Sequence, residues 1–189
     1  MILTFLISLY ICIILHEFGH LIAAKICKCG VPTYSIGFGR AIIKKKLGST
    51  IYQLGWLPLG GYCELEGEMA TSKKENAYVN LIYRKKLLIA LAGCLINIIS
   101  GLIVYAIGYY FDNRHMLYFG IISTMLGITN LLPIPALDGS YPYLFLLEKI
   151  IPKKYALQLT KFLITWGFNL IMLLNILSIP WLIINWKKF

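Results

Sequence analysis

Acidic residues are scarce in this chain: Asp and Glu number eight among 189 residues, against eighteen Lys and Arg, and only 14% of positions are charged. So small a charged share, beside 59% hydrophobic residues, excludes the surface of an ordinary soluble domain and predicts a chain whose solvent is a bilayer. Cysteine is also thin. Cys12 and Cys94 lie in apolar runs, and Cys27, Cys29 and Cys63 lie in a basic loop on the reducing side, which excludes a disulfide scaffold. The lone Cys27-x-Cys29 lacks the second pair of a structural zinc site and reads as packing. No internal repeat, low-complexity tract or long linker is present, so a single domain over 1–189 is predicted.

What the chain has in quantity is apolar length. Runs at about 1–26, 87–111, 116–137 and 162–186 each approach the ~20 residues that cross the hydrocarbon core as a helix. The predicted class is an all-α polytopic membrane protein of about four transmembrane helices, with a small membrane-associated β hairpin between helices one and two. The first run lacks a basic start and a small-residue cleavage site, and it holds His16, Glu17 and His20, so it is expected to stay in the mature protein. Between about 30 and 68, β-branched and aromatic residues alternate with glycine, as in Ala41-Ile42-Ile43-Lys44 followed by Leu47-Gly48-Ser49-Thr50 and Ile51-Tyr52-Gln53-Leu54, which predicts the hairpin.

The basic residues set the orientation. All but Arg114, Lys187 and Lys188 fall in 25–86 and 138–161, so the main loop is expected in the cytoplasm and both termini outside. The clusters Lys44-Lys45-Lys46 and Arg84-Lys85-Lys86 are juxtamembrane, which suits anionic lipid and excludes a nucleic-acid-binding face.

His16-Glu17-Phe18-Gly19-His20 fits H-E-x-x-H, in which histidines four apart project from one helical face to bind zinc and the glutamate serves as general base. A charged group inside a span costs about 3 kcal/mol on insertion scales, so it needs a partner or a purpose. A catalytic zinc commonly takes three protein ligands. His115 sits at the outer end of its helix, too far from His16, which lies roughly 22 Å along the first helix. Asp138 is the best-placed acid, beside Gly139 and after Pro133 and Pro135; its alternative reading is a loop-end or helix-capping carboxylate. Asn130 lies at a similar depth, roughly 21 Å along the third run.

Together with Asn130-Leu131-Leu132-Pro133-Ile134-Pro135-Ala136-Leu137-Asp138-Gly139, the first motif resembles the site-2 protease family of intramembrane zinc metalloproteases, which carries this pair of motifs on its first and third core helices. Ser35-Ile36-Gly37-Phe38-Gly39 and Leu57-Pro58-Leu59-Gly60-Gly61-Tyr62 are similar to the membrane-associated β region of its bacterial branch, and Ala92-Gly93 with Asn97 to its second core helix. The resemblance implies one zinc on His16, His20 and Asp138, with Glu17 as base. The PDZ domain common in that branch between helices two and three is missing, because the loop there is only about 112–115. Cys94 stands where proline is frequent, and Ser140-Tyr141 where a glycine and a basic residue are frequent.

These readings predict hydrolysis of transmembrane or membrane-adjacent segments by a zinc-activated water, as in regulated proteolysis. Asn130 and Asn97 are candidates to hold the oxyanion or substrate backbone, Asn97 having interhelical hydrogen bonding as its alternative. Strand residues Ile51, Tyr52, Gln53 and Leu54 are candidates to pair with an unwound substrate, or else to seal the site from lipid. Expected partners are single-pass or signal-peptide-like membrane proteins, membrane lipid and a regulatory protein, at the bacterial cytoplasmic membrane. A catalytically silent scaffold and a metal-ion carrier are the rival functions.

Overall fold

The computed structural model describes residues 2–68 and 72–185. Helix α1, Ile2–Ile26, is apolar almost throughout and ends in a Schellman turn: Cys29 N–H donates to Ala24 C=O at 2.8 Å, with Lys28 in the left-handed region at φ 60°. Strands β1, Thr33–Leu47, and β2, Thr50–Glu64, follow as an antiparallel hairpin closed at Gly48. A 3-10 turn at Tyr78–Asn80 leads into α2, Tyr83–Tyr110. Asn113 caps α3, Arg114–Asn130, its side-chain oxygen accepting from the backbone N–H of His115 and Met116. These elements lie in one compact unit that runs to Leu132; a second begins at Pro133.

The outer surface of the first unit is far more apolar than that of a soluble protein. Large apolar side chains such as Phe5, Leu6, Phe18, Leu95, Ile99 and Leu102 are exposed, whereas His16, Asn97 and Ser123 are buried. Water would penalise such a surface and lipid does not. Close approach of α2 and α3 rests on glycines: a Cβ on Gly120 would stand 2.7 Å from the carbonyl oxygen of Gly101, and one on Gly127 equally close to that of Cys94.

The hairpin is not flat. Thr33–Ile36 pair antiparallel with Gly61–Glu64, and Ile43–Leu47 with Thr50–Leu54, as one hairpin register requires. Gly37 and Gly39, at φ 85° and 82°, bend β1 between these stretches, and the outer half folds back so that Thr33–Ile36 also lie beside Ile51–Leu54, the two segments running the same way. Ile51 N–H donates to Pro32 C=O at 2.9 Å across that second seam. Ile51, Tyr52, Gln53 and Leu54 therefore have a strand neighbour on both edges. As folded, the candidate substrate strand has no edge to offer.

The second unit holds a 3-10 turn at Asp138–Ser140, helix α4, Tyr141–Ile150, and helix α5, Lys153–Asn185. Ser140 Oγ donates to Leu137 C=O at 2.7 Å, and Pro142 sits at the start of α4, where its missing N–H costs nothing. Gly167 of α5 leaves room for the Pro135 backbone, whose carbonyl carbon would be 2.6 Å from a Cβ there.

The expected class needs correction. The chain is a mixed α and β protein, since β1 and β2 are fifteen residues each, and it is not an all-α bundle carrying a small hairpin. Among the described residues, two helices are long and apolar enough to cross a membrane, Thr4–Ile26 and Tyr83–Tyr110. The run at 116–137 does not form one span, because α3 has only 17 residues and gives way to turns at Leu131, ahead of Pro133 and Pro135. Helix α5 takes in the last run as far as Asn185; Trp186 lies outside the described residues.

Candidate metal centre

Helical spacing carries His16 and His20 to the same face of α1, one turn apart, and that face meets α2. The meeting is close because both helices lack a side chain there. A Cβ on Gly19 would fall 2.9 Å from Gly93 Cα and 2.8 Å from the Ala92 carbonyl oxygen. A Cβ on Gly93 would fall 2.5 Å from His20 Nε2 and 2.9 Å from His16 Nε2. The imidazoles thus fill the space that the second glycine leaves empty.

The ring nitrogens are sorted by their partners. Nδ1 of His20 lies 2.7 Å from the Ile89 carbonyl oxygen, which only accepts, so Nδ1 carries the proton and Nε2 keeps its lone pair. That Nε2 stands 3.2 Å from Nε2 of His16, with the two rings edge to face. Two nitrogens bound tetrahedrally to zinc at ~2.0–2.1 Å are separated by about 3.3 Å, so the pair is already spaced as zinc ligands. His16 is buried and His20 half-buried, in keeping with a site partly screened from solvent.

Glu17 is half-buried and faces the sheet. A Cβ on Gly61 of β2 would stand 3.1 Å from Glu17 Cγ, and Tyr34 of β1 donates its hydroxyl to the Ile14 carbonyl at 3.4 Å, pinning the sheet to α1 one turn away. The charge of Glu17 is felt there. Burial first, then Glu17, then Glu68 push the Cys63 thiol up to about 12, and burial followed by Glu17 raises the Tyr34 phenol as well. Cys29, pushed up to about 11 by burial and then by Glu68, is equally held neutral. Gly61, in the stretch paired with Thr33–Ile36, thus lies beside Glu17.

Asn97 is fully buried, and its amide lies 3.4 Å from Nδ1 of His16, the nitrogen turned away from the metal side. Ser123 Oγ donates to the Asn97 backbone carbonyl at 2.9 Å and fixes its turn of α2. That placement sets the Asn97 amide against the Nδ1 edge of the His16 ring. Asn130 is the last residue of α3 and is half-buried. Asp138 opens the 3-10 turn of the second unit, half-buried, two residues after Ala136, whose φ of 82° is left-handed.

Sequence reasoning did not assign roles to Gly93, Gly61, Tyr34 or Cys63. The signals for the glycines were their place in the two family-like stretches, Leu57–Tyr62 and Ala92-Gly93, and the general rule that glycine in an apolar element marks close backbone approach.

Comparison with known proteins covers most of the chain. The sequence model of Peptidase family M50 matches residues 4–115 and 113–174. Among relatives, a protein named "Putative zinc metalloprotease" from Chlamydia pneumoniae is 33% identical over 124 residues, 59% of this chain and 20% of that protein. Similarly named proteins of Neisseria meningitidis and Treponema pallidum are 34% and 36% identical, over 58% and 53% of this chain and 25% of each relative. The chain thus matches about a fifth to a quarter of the length of these relatives. In fold it is similar to the site-2 protease from Methanocaldococcus jannaschii, with a TM-score of 0.55 and 23% identity over 92% of this chain and 66% of that one.

Proposed function

The chain belongs to peptidase family M50, the site-2 protease family of zinc metalloproteases, and on that premise we propose that it hydrolyses peptide bonds of other membrane proteins within or beside their transmembrane segments. The observation that carries this reading is the pair of imidazole Nε2 atoms 3.2 Å apart at the floor of a glycine-lined helix crossing, with the Glu17 carboxylate one residue from the first of them.

His16 and His20 would hold zinc, and Asp138 would supply the third ligand; its carboxylate completes a His, His, acid set of the kind used by hydrolytic zinc sites. Zinc, when bound, supplies Lewis acidity that polarises a peptide carbonyl and acidifies a water. Glu17 takes the proton from that water at its carboxylate and returns it to the leaving amine. The missing side chain of Gly61 leaves the room that the Glu17 side chain occupies. Asn130, at the end of α3, is the candidate donor to the developing oxyanion.

A helical substrate must unwind before its carbonyls are reachable, and an extended segment is most simply held at a strand edge. Among the described residues no strand covers the outer edge of Gly61–Glu64, and Gly61 is a hairpin residue beside Glu17. The unwound segment therefore pairs there. Substrates are single-pass or signal-peptide-like membrane proteins, and with a minimal loop at 112–115 their selection falls to the hairpin or to a regulatory partner. The excess of basic residues in the loop after α1 supports a cytoplasmic position for that loop at a bacterial cytoplasmic membrane, with both candidate spans crossing it.

The test is proteolysis of a labelled single-pass helix co-reconstituted with the protein in liposomes. Cleavage that disappears in Glu17→Gln supports the reading; cleavage unchanged in that variant, or the same products from liposomes without the protein, contradicts it.

A further inference from the structure

An asparagine amide has one end that donates and one that accepts, and the two are nearly indistinguishable by shape, so the network around them decides which is which. As oriented, the Nδ2 of Asn97 faces His16 Nδ1 at 3.4 Å, and Oδ1 is the buried side-chain atom left without a hydrogen-bond partner among the described residues. That orientation makes Nδ1 the acceptor and puts the His16 proton on Nε2. A protonated Nε2 has no lone pair to offer.

His20 is arranged the other way: its Nδ1 proton is held by the Ile89 carbonyl oxygen at 2.7 Å, which frees its Nε2. Two Nε2 atoms at 3.2 Å can serve one cation only if both rings have their proton on Nδ1. The requirement at His16 is then an acceptor at the position where the amide of Asn97 lies.

We propose that Asn97 is a positioning residue for the metal site, turned so that Oδ1 accepts the Nδ1 proton of His16 and fixes that ring as an Nε2 ligand. This inference rests on the zinc site proposed above and goes beyond it, since it moves Asn97 from the substrate side to the far side of the ligand. As oriented, the accepting end of the amide has no hydrogen-bond partner among the described residues, so the tautomer of His16 decides which end faces it. The anchorage suits the task. Ser123 holds the Asn97 carbonyl at 2.9 Å, Ser100 reaches the same oxygen at 3.4 Å, and the residue is wholly enclosed. Outer-shell partners of ligating histidines typically change metal affinity 10- to 100-fold when lost.

The experiment uses the full chain in detergent, stripped of metal, with Zn2+ affinity and the Co2+ d–d spectrum measured for wild type, Asn97→Asp and Asn97→Leu. Asp keeps an oxygen acceptor and loses the donor, whereas Leu keeps the bulk and loses both. The expected result is wild-type or tighter affinity in Asn97→Asp, roughly 10- to 100-fold weaker affinity in Asn97→Leu, and a Co2+ spectrum of unchanged shape in Asn97→Asp. Asn97→Asp binding weakened by that factor would show that the donor end matters and overturn the proposal, and this arm stands even if Asn97→Leu does not fold. Equal affinity in all three would also overturn it while leaving the zinc site intact. Wild type that binds no zinc would remove both this inference and the reading beneath it.

Discussion

A methyl group on Gly93 would stand 2.5 Å from Nε2 of His20, so the second helix of the core is shaped around the imidazoles of the first. The same methyl would meet His16 Nε2 and Cε1 at 2.9 Å. Gly93→Ala is therefore expected to abolish stoichiometric zinc binding, because the rings must rotate off their common point. Helix propensity acts the other way, favouring Ala over Gly by about 1 kcal/mol. Zinc content measured beside thermal stability checks this: metal is lost and the fold retained.

Glu17→Gln keeps the size and polarity of the side chain and removes the carboxylate proposed as base. Peptide hydrolysis is expected to fall by roughly 10²- to 10⁴-fold with zinc content unchanged. Single-turnover cleavage of a model membrane substrate, normalised to bound zinc, is the appropriate measurement.

Gly61 bears on Glu17 from the sheet. A Cβ there would lie 3.1 Å from Glu17 Cγ and 2.8 Å from the Ser35 carbonyl oxygen. Gly61→Ala is expected to lower kcat about tenfold or more, since small displacements of reacting groups are costly, while leaving zinc affinity at the wild-type level. Loss of zinc together with kcat would show that the hairpin supports the metal and not the base.

The Cys63 thiol, pushed up to about 12 by burial and then by the Glu17 charge, should resist alkylation at pH 8, where it is neutral. Removing that charge in Glu17→Gln lowers its pKa, so the pH profile of iodoacetamide labelling is expected to move to lower pH. The linkage has a sign. Because the folded thiol holds its proton more tightly than the unfolded one at 9.0, its contribution to stability is complete below pH 9 and is lost as pH rises through 9 towards 12.

Thr50 is fully buried, accepts from Lys25 Nζ at 2.5 Å and donates to the Val31 carbonyl oxygen at 2.7 Å, tying the hairpin turn to the end of α1. Thr50→Val preserves shape and deletes both bonds. A loss of about 1–3 kcal/mol is expected from the carbonyl left unpaired, read as a lower thermal midpoint in detergent.

How much of this was legible in the sequence depends on range. The histidine pair follows from spacing on one helix, and the β region from its glycine and β-branched pattern; β1 and β2 occupy 33–64 within the predicted 30–68. The class was misjudged because apolar length alone does not register where a helix ends. Pro133 and Pro135 follow the stop of α3 at Asn130, and strands fifteen residues long are more than an appendage. The doubly covered position of Ile51–Leu54 depends on two left-handed glycines that fold a hairpin onto itself, a long-range outcome with no local periodicity. Asn97 was visible as a polar residue in an apolar helix, but the direction it faces is fixed by the Gly19–Gly93 crossing, and a sequence does not display crossings.

A zinc ion held by His16, His20 and Asp138 is what every other proposal for this chain depends on. Elemental analysis of the detergent-purified protein beside His16→Ala and Asp138→Ala tests it without knowledge of any substrate. About one zinc per chain is expected in wild type, with loss of that zinc in both variants, as follows when a ligand is removed; well-folded wild type devoid of zinc, or zinc unchanged in Asp138→Ala, would rule this site out.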